Sequence, residues 1–322
     1  MSAPAGGRAT DALVQHVNGA LRRGILAAAR SERMGGVVRR HGMRLGAQRF
    51  VAGETFAACA DVLARLNERG LHANTTLLGE DVLSPEEARS VVAAYEQILD
   101  GIAERDLRVN VALKLTHLGL LLDEDLAYEN VRRLVDYAAA RGNFIRIDME
   151  HSSLVDQTLE IYRRLRADDR SAVGTVLQSY LFRTPADLDA LLPLQPNLRL
   201  VKGAYLEPPE VAYPRKADVD AAYARLVESA LAGGAYAAIA THDQQLIEQT
   251  IVLAERMGVG RDRFEFQMLY GVRPRLQLEL VERGYKVLVA TPFGPQWYPY
   301  LMRRLAERPA NVLFVARNLL RR

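Results

Sequence analysis

The chain has 322 residues, 49% of them hydrophobic and 25% charged, with a formal net charge of +3. That composition describes an ordinary globular protein with a full core, and so small a net charge does not by itself point to nucleic acid. One cysteine, Cys59, excludes a disulfide framework or a cysteine metal cluster, and no run of about 18 apolar residues marks a membrane span.

The start, "MSAPAGGRAT", lacks the apolar core of a signal peptide and is expected to be disordered. Residues 1–50 carry nine arginines against Asp11 and Glu32. An Arg-rich, acid-poor start is also a transit-peptide trait, but arginine is abundant throughout this chain. Amphipathic helical stretches follow at 11–45 and 53–69. Residues 1–45 therefore read as a disordered start and helical arm, and 46–322 as the main domain. From there β-rich runs recur at 73–79, 109–117, 144–150, 173–181, 198–205, 236–242, 264–269 and 286–291. Helix-patterned segments separate them, such as "SPEEARSVVAAYEQILDGIAER", whose Ser84 and Glu87 have capping-box spacing. Eight strands alternating with helices over about 250 residues predict an α/β fold, a (βα)8 barrel preceded by N-terminal helices. An open doubly wound sheet would want a glycine-rich turn after its first strand, and neither G-x-G-x-x-G nor a P-loop occurs.

In such a barrel the active site lies at the carboxyl ends of the strands. Polar residues collect there: Lys114 and Thr116 after strand two, then Arg146, Asp148 and Glu150 on one face of strand three, with Met149 on the other. Gln178 and Tyr180 close strand four, Arg199, Lys202 and Tyr205 strand five, "ATHD" strand six and "FEFQMLYG" strand seven. Only four lysines occur in the chain, Lys114, Lys202, Lys216 and Lys286, so a lysine on an apolar strand is less readily decoration. Each feature also has a plain structural reading. Lys114 and Asp148 could be an ion pair, His242 a core histidine, and "THD" a helix cap. Convergence on one rim nevertheless predicts a ligand site, because unpaired buried charges are costly. Lys114, Arg303 and Arg304 suit a small carboxylate. Arg199, Lys202, Gly203 and Ala204 suit a larger anion approached closely by backbone. Glu307 lies at ion-pair spacing from both late arginines, so a solvated helix face stays open for them. The scattered His and carboxylate residues predict no metal site.

Taken together, "ALKLTHLG", "IDME", "GTVLQSYLFRT", "LRLVKGAYLEP", "VAYPRKADVD", "ATHD", "FEFQMLYGVR" and "WYPYLMRRLAERPAN" resemble the proline dehydrogenases, in particular the compact monofunctional bacterial ones. The resemblance runs from about residue 45 to the C-terminus, with all blocks in order. It implies a distorted barrel holding FAD, oxidising L-proline to 1-pyrroline-5-carboxylate by hydride transfer. It also implies roles. Lys114, Arg303 and Arg304 match the carboxylate-binding residues; Asp148 lies beside the substrate, and Met149 against the flavin. Arg199 matches an arginine near flavin N5, where positive charge favours the reduced ring. Gln178, Val201, Lys202, Gly203, Ala204, Thr241, His242, Gln267 and Glu307 match cofactor-side positions, and Tyr205 and Leu269 match pocket walls. Electrons are expected to pass to a quinone, and the product to a pyrroline-carboxylate dehydrogenase. A cytoplasmic protein is implied, whose basic N-terminal helices either touch the inner membrane surface weakly or form a solvated face.

One position departs from the family. Its members usually read V-Y-x-P-Y-G at the end of strand eight, where the first tyrosine packs on the proline ring. This chain reads "VATPFG", with Ala290 in that place and Phe293 keeping the later aromatic. Tyr285 lies at the other end of the strand and cannot substitute without a register change. Losing a buried aromatic forfeits about 2–4 kcal/mol of packing if nothing fills the space. Hydroxyproline-oxidising relatives carry a smaller residue here, so 4-hydroxy-L-proline or a bulkier cyclic amino acid is the alternative substrate. Two other classes remain on the same barrel: a Schiff-base lyase using Lys114 or Lys202, and a non-catalytic binding protein.

Overall fold

All eight β-rich runs form strands, which close into a parallel barrel in sequence order. They are β1 (His72–Leu77), β2 (Val109–Leu113), β3 (Ile145–Ile147), β4 (Val173–Gln178), β5 (Asn197–Val201), β6 (Tyr236–Ala240), β7 (Phe264–Leu269) and β8 (Val287–Phe293). The computed structural model describes residues 47–307, with side chains through residue 302. The N-terminal arm expected over residues 1–45 lies outside the described residues. β8 closes the barrel on β1 in a register running from His72↔Leu288 to Leu77↔Phe293. β4 is buried along its whole length, as a parallel strand covered on both faces must be.

Most strands end earlier than the polar alternation predicts. β2 stops at Leu113, so Thr116 sits in a 3-10 turn (Thr116–Leu118) rather than on a strand face. β3 stops at Ile147. Beyond it the chain no longer alternates, and Asp148 and Met149, expected on opposite faces, line the same cavity.

The helices are α1 (Phe56–Glu68), α2 (Pro85–Glu104), α3 (Glu124–Ala139), α4 (Val155–Ala167), α5 (Thr184–Leu191), α6 (Lys216–Ala232), α7 (Gln244–Met257), α8 (Pro274–Glu282) and α9 (Trp297–Glu307). Their starts follow from local chemistry. Ser84 Oγ accepts the Glu87 N–H at 3.2 Å, while the Glu87 carboxylate accepts from Leu83 N at 2.7 Å, one residue earlier than a reciprocal capping box would place it. Asp123 caps α3 by accepting from Leu126 N at 2.7 Å.

The two terminal helices distort the barrel plan. α1 precedes the first strand and sends Cys59, Val62, Leu63 and Leu66 into the main core. α9, the helix after β8, instead packs Trp297, Tyr298 and Leu301 with Ala47, Phe50, Val51 and Leu78 in a second core. Leu78 follows the carboxyl end of β1, so this small core lies at the active-site rim. Trp297 Nε1 donates to Glu54 Oε1 at 2.8 Å, and Gly294 N to Gly53 O at 3.0 Å, fixing α9 there.

The interior is more polar than the branched aliphatic layers usual in such barrels. Arg146 and Arg199 both point inward, and small residues make room for them. Arg146 has Ala112 and Gly174 as its register neighbours, and Arg199 has Val176 and Ala238. A Cβ on Gly174 would lie 2.4 Å from Arg146 Nη1 and from Asn197 O, so the guanidinium dictates the glycine.

Candidate active site

The carboxyl ends of the strands surround a cavity of about 610 Å³, within the range of small-molecule sites. Every residue given a substrate or cofactor role by the resemblance, where its side chain is described, lines it: Lys114, Asp148, Met149, Gln178, Arg199, Val201, Lys202, Gly203, Ala204, Tyr205, Thr241, His242, Gln267, Leu269 and Ala290; Thr116, Arg146, Glu150 and Tyr180, also expected at the rim, do not. Arg303, Arg304 and Glu307 fall on α9, whose neighbouring residues Pro299 and Tyr300 line the same cavity. The side chains of those three lie outside the described ones.

Arg199 is the fixed point. Its Nη1 meets Asp148 Oδ1 at 2.7 Å, its Nε donates to Gln267 Oε1 at 2.6 Å, and its Nη2 donates to Asn74 Oδ1 at 2.9 Å. Three strands and the residue after β3 thus hold one planar cation in a single orientation, using the fork geometry that distinguishes arginine from lysine. Asn74 in turn donates to Asn110 Oδ1. The Arg199 side chain keeps 11% exposure, so its charge is both ordered and directed at the cavity.

The other cations are paired differently from the simplest sequence reading. Lys114 forms its ion pair with Glu80, from the loop after β1, and Asp148 forms its own with Arg199; the anticipated Lys114–Asp148 pair is absent. Lys202 lies 2.5 Å from Asp220 and 3.5 Å from Asp243, and Asp220 also takes Lys216. Glu150, expected among the convergent rim charges, turns instead to Thr116: it accepts from Thr116 N at 3.2 Å and Thr116 Oγ1 at 2.9 Å. Burial raises its carboxyl above the ordinary range.

"THD" after β6 does cap the next helix, but His242 is a half-buried residue of the cavity wall rather than a core histidine. Asp243 is the N-cap of α7, accepting from Gln245 N at 3.1 Å. His242 Nε2 accepts the Leu269 N–H at 2.8 Å, so the imidazole carries no proton on that nitrogen and ties β7 to β6 at the cavity wall. Gly203 has φ +122°, and a Cβ there would lie 2.4 Å from the Tyr180 ring. Only glycine lets the chain turn against that ring and leave the wall flat. Beyond it, Tyr205 packs on His151 with ring centroids 4.1 Å apart.

Asn74, Thr76 and Glu80 on and after β1, together with Phe50 and Tyr300, also line the cavity and were not singled out in the sequence. Asn74 and Thr76 share a face of β1 by simple alternation, the rule used for the other strands. Glu80 lies in a loop and gave no comparable signal. Among the described residues, no three His, Cys, Asp or Glu side chains gather where a metal ion could sit.

Comparison with known proteins agrees with this geometry. The family model for proline dehydrogenase matches residues 59–317. Proline dehydrogenase 2 of Bacillus subtilis is 43% identical over 283 residues, covering 88% of this chain and 93% of that protein. Proline dehydrogenase of Deinococcus radiodurans is 43% identical over 279 residues, covering 85% and 90%. Among solved structures, proline utilization A (PutA) from Bdellovibrio bacteriovorus, inactivated by N-propargylglycine, superposes with a TM-score of 0.78 at 25% identity. That match covers 85% of this chain but only 34% of the much longer PutA chain. A barrel that closes in sequence order, an arginine clamped at its mouth and 43% identity across most of the chain place this protein in the proline dehydrogenase family.

Proposed function

We propose that this protein oxidises L-proline to 1-pyrroline-5-carboxylate, with FAD in the barrel cavity as electron acceptor. The observation that carries the reading is the clamped Arg199, an ordered positive charge facing a cavity of about 610 Å³.

The reaction removes two electrons and two protons from the ring: a hydride from the carbon beside nitrogen, a proton from nitrogen. No side chain lining the cavity takes up an electron pair. Cys59 sits on α1 against Thr75, and burial pushes its thiol up to about 12. A bound flavin would supply the electron sink. The donor set fits such a group. Arg199 offers positive charge where the ring would gain electrons, and Gly203 gives a flat wall. Lys202, Lys216 and the start of α7 would suit a pyrophosphate, which would compete with Asp220 and Asp243 for them. Met149, Gln178, Val201, Ala204, Thr241, His242, Gln267 and Glu307 complete the cofactor side.

On the substrate side, Lys114, Arg303 and Arg304 bind the carboxylate, and Tyr205, Leu269 and Ala290 wall the ring. Asp148 acts from beside the substrate and holds Arg199. The clamp aims the ring carbon; the nitrogen gives its proton to solvent. Lys114 is engaged by Glu80, so a bound carboxylate competes with that side chain for it.

A second reading rests on Ala290, which lines the cavity with only Asn74 and Leu269 as register neighbours. The same chemistry then acts on 4-hydroxy-L-proline or a larger cyclic amino acid. Lys114 and Lys202 are each ion-paired to carboxylates rather than set in the apolar pocket a Schiff-base lysine needs, which disfavours the lyase class. Electrons continue to a quinone and the product to a pyrroline-carboxylate dehydrogenase. No described helix is long and apolar enough to cross a membrane.

Anaerobic titration of the FAD-loaded protein with L-proline, 4-hydroxy-L-proline, L-pipecolate and N-methylproline tests both readings. Bleaching of the flavin by proline supports the first; stronger bleaching by a larger ring supports the second. A flavin that no cyclic amino acid reduces overturns both.

A further inference from the structure

Behind Arg199 the interior holds a second ionised group that the proposed chemistry does not use. Glu265, on β7, is 2% exposed. Its Oε2 accepts from Tyr236 OH at 2.8 Å and lies 2.8 Å from Lys286 Nζ, at the opposite end of the barrel from the cavity. Its Oε1 accepts from Gln267 Nε2 at 2.6 Å. Burial raises the Glu265 carboxyl, but Lys286, Gln267 and Tyr236 more than offset it and hold the group below its ordinary value.

The Gln267 carboxamide has two unlike ends, and nothing in its own shape decides which faces Arg199. Glu265 decides. A carboxylate can only accept, so it binds the NH2 end, and the amide oxygen is left for Arg199 Nε at 2.6 Å. We propose that Glu265 is a positioning residue: it locks the Gln267 amide so that its oxygen orients Arg199 and tempers the positive charge Arg199 presents to the cavity. The inference rests on the reading of the cavity as a flavin site.

Removing the lock leaves the Arg199 charge less compensated, which favours a reduced flavin carrying negative charge. The test is the midpoint potential of FAD bound to the Glu265→Gln protein, measured by dye-coupled titration with no substrate present. The expected result is a tenfold or greater gain in the ratio of reduced to oxidised flavin at a fixed potential, a rise of about 30 mV for a two-electron couple. Tyr236→Phe is the control. It removes a hydrogen bond to Oε2 but leaves the Oε1–Gln267 contact, so it should lower the melting temperature without moving the potential. If Glu265→Gln does not accumulate as folded protein, Glu265→Asp takes its place; it keeps the charge on Lys286 but withdraws the carboxylate from Gln267, and should give a smaller rise. An unchanged potential in the folded variant, or an equal shift in Tyr236→Phe, overturns the positioning role and leaves a purely structural buried ion pair. If the unsubstituted protein retains no FAD, the cavity reading fails first, independently of either variant.

Discussion

Arg146 and Arg199 are the same residue type at inward positions of two nearby strands, β3 and β5, yet they are held in opposite ways. Arg146 is 1% exposed and, among the described residues, is bonded by no carboxylate. Its Nη1 donates to Asn197 O at 2.7 Å and Thr175 O at 3.0 Å, and Nη2 to Asn197 Oδ1 at 2.5 Å. Burial, with the Arg199 charge second, pulls its pKa down to about 10. Arg199 has an anion, two amides and an open side facing the cavity. The contrast separates structural from functional charge. A cation surrounded by neutral acceptors ties strands together, whereas one gripped from behind by side chains is free to act in front.

Exchanging each arginine for methionine should break the comparison cleanly. Arg199→Met is expected to lower kcat with L-proline by about 10²–10³-fold, the usual cost of losing one preorganised electrostatic donor. It should also lower the flavin potential. Arg146→Met should leave that potential nearly unmoved and instead destabilise the fold by about 1–3 kcal/mol, since one buried and two part-buried acceptors lose their donor. Urea titration with parallel potentiometry reads both. Matching effects from the two variants would erase the distinction.

Gly174→Ala probes the structural arginine without touching its charge. The added Cβ would meet Arg146 Nη1 and Asn197 O at 2.4 Å. Because one of those atoms is backbone and the Phe144 ring lies 2.7 Å away as well, overpacking there should cost toward the upper end of about 1–3 kcal/mol, seen as a lower urea midpoint with unchanged kcat. Acid should reveal the same floor through Glu265, whose carboxyl is held below its usual value in the fold. Its contribution is complete above the unfolded-state pKa of about 4.3 and is lost as pH falls through the lower folded value, because the unfolded chain binds the proton first. Glu265→Gln should flatten that part of the acid unfolding profile.

The barrel itself was legible because parallel strands separated by helices leave a regular apolar rhythm. Strand ends were not, because Lys114, Thr116, Asp148 and Tyr180 continue the polar alternation after the ladder has stopped. The scarcity of lysine drew attention to four positions, each of which has a defined partner. Lys114, Lys202 and Lys216 line the cavity, Lys286 reaches Glu265 from the far end, and each is ion-paired. What one sequence could not show is partnership across the barrel. "FEFQ" gives two inward polar residues, but that Gln267 faces Arg199 while Glu265 faces Lys286 depends on strands far apart in the chain. Asn74 was missed for the same reason: an uncharged side chain on a short strand carries no sign that an arginine from β5 rests on it.

The smallest expected effect lies on the open side of Arg199, at Ala290. Its register neighbours are Asn74, which is engaged by Arg199 and Asn110, and the apolar Leu269. A tyrosine there would therefore extend into the cavity rather than into the polar network. Ala290→Tyr should leave the flavin potential unchanged and narrow the space for ring substituents. A pocket contact of this kind is worth about 1–3 kcal/mol, or roughly 10–200-fold in discrimination. The expected outcome is a rise of about tenfold in kcat/KM for L-proline relative to L-pipecolate and 4-hydroxy-L-proline. Unaltered selectivity would mean that Phe50, Tyr205 or Tyr300, which line the same cavity, already supply the wall. Altered potential would mean that the new side chain has disturbed Arg199, and that the front of the clamp is less independent of its grip than the comparison with Arg146 implies.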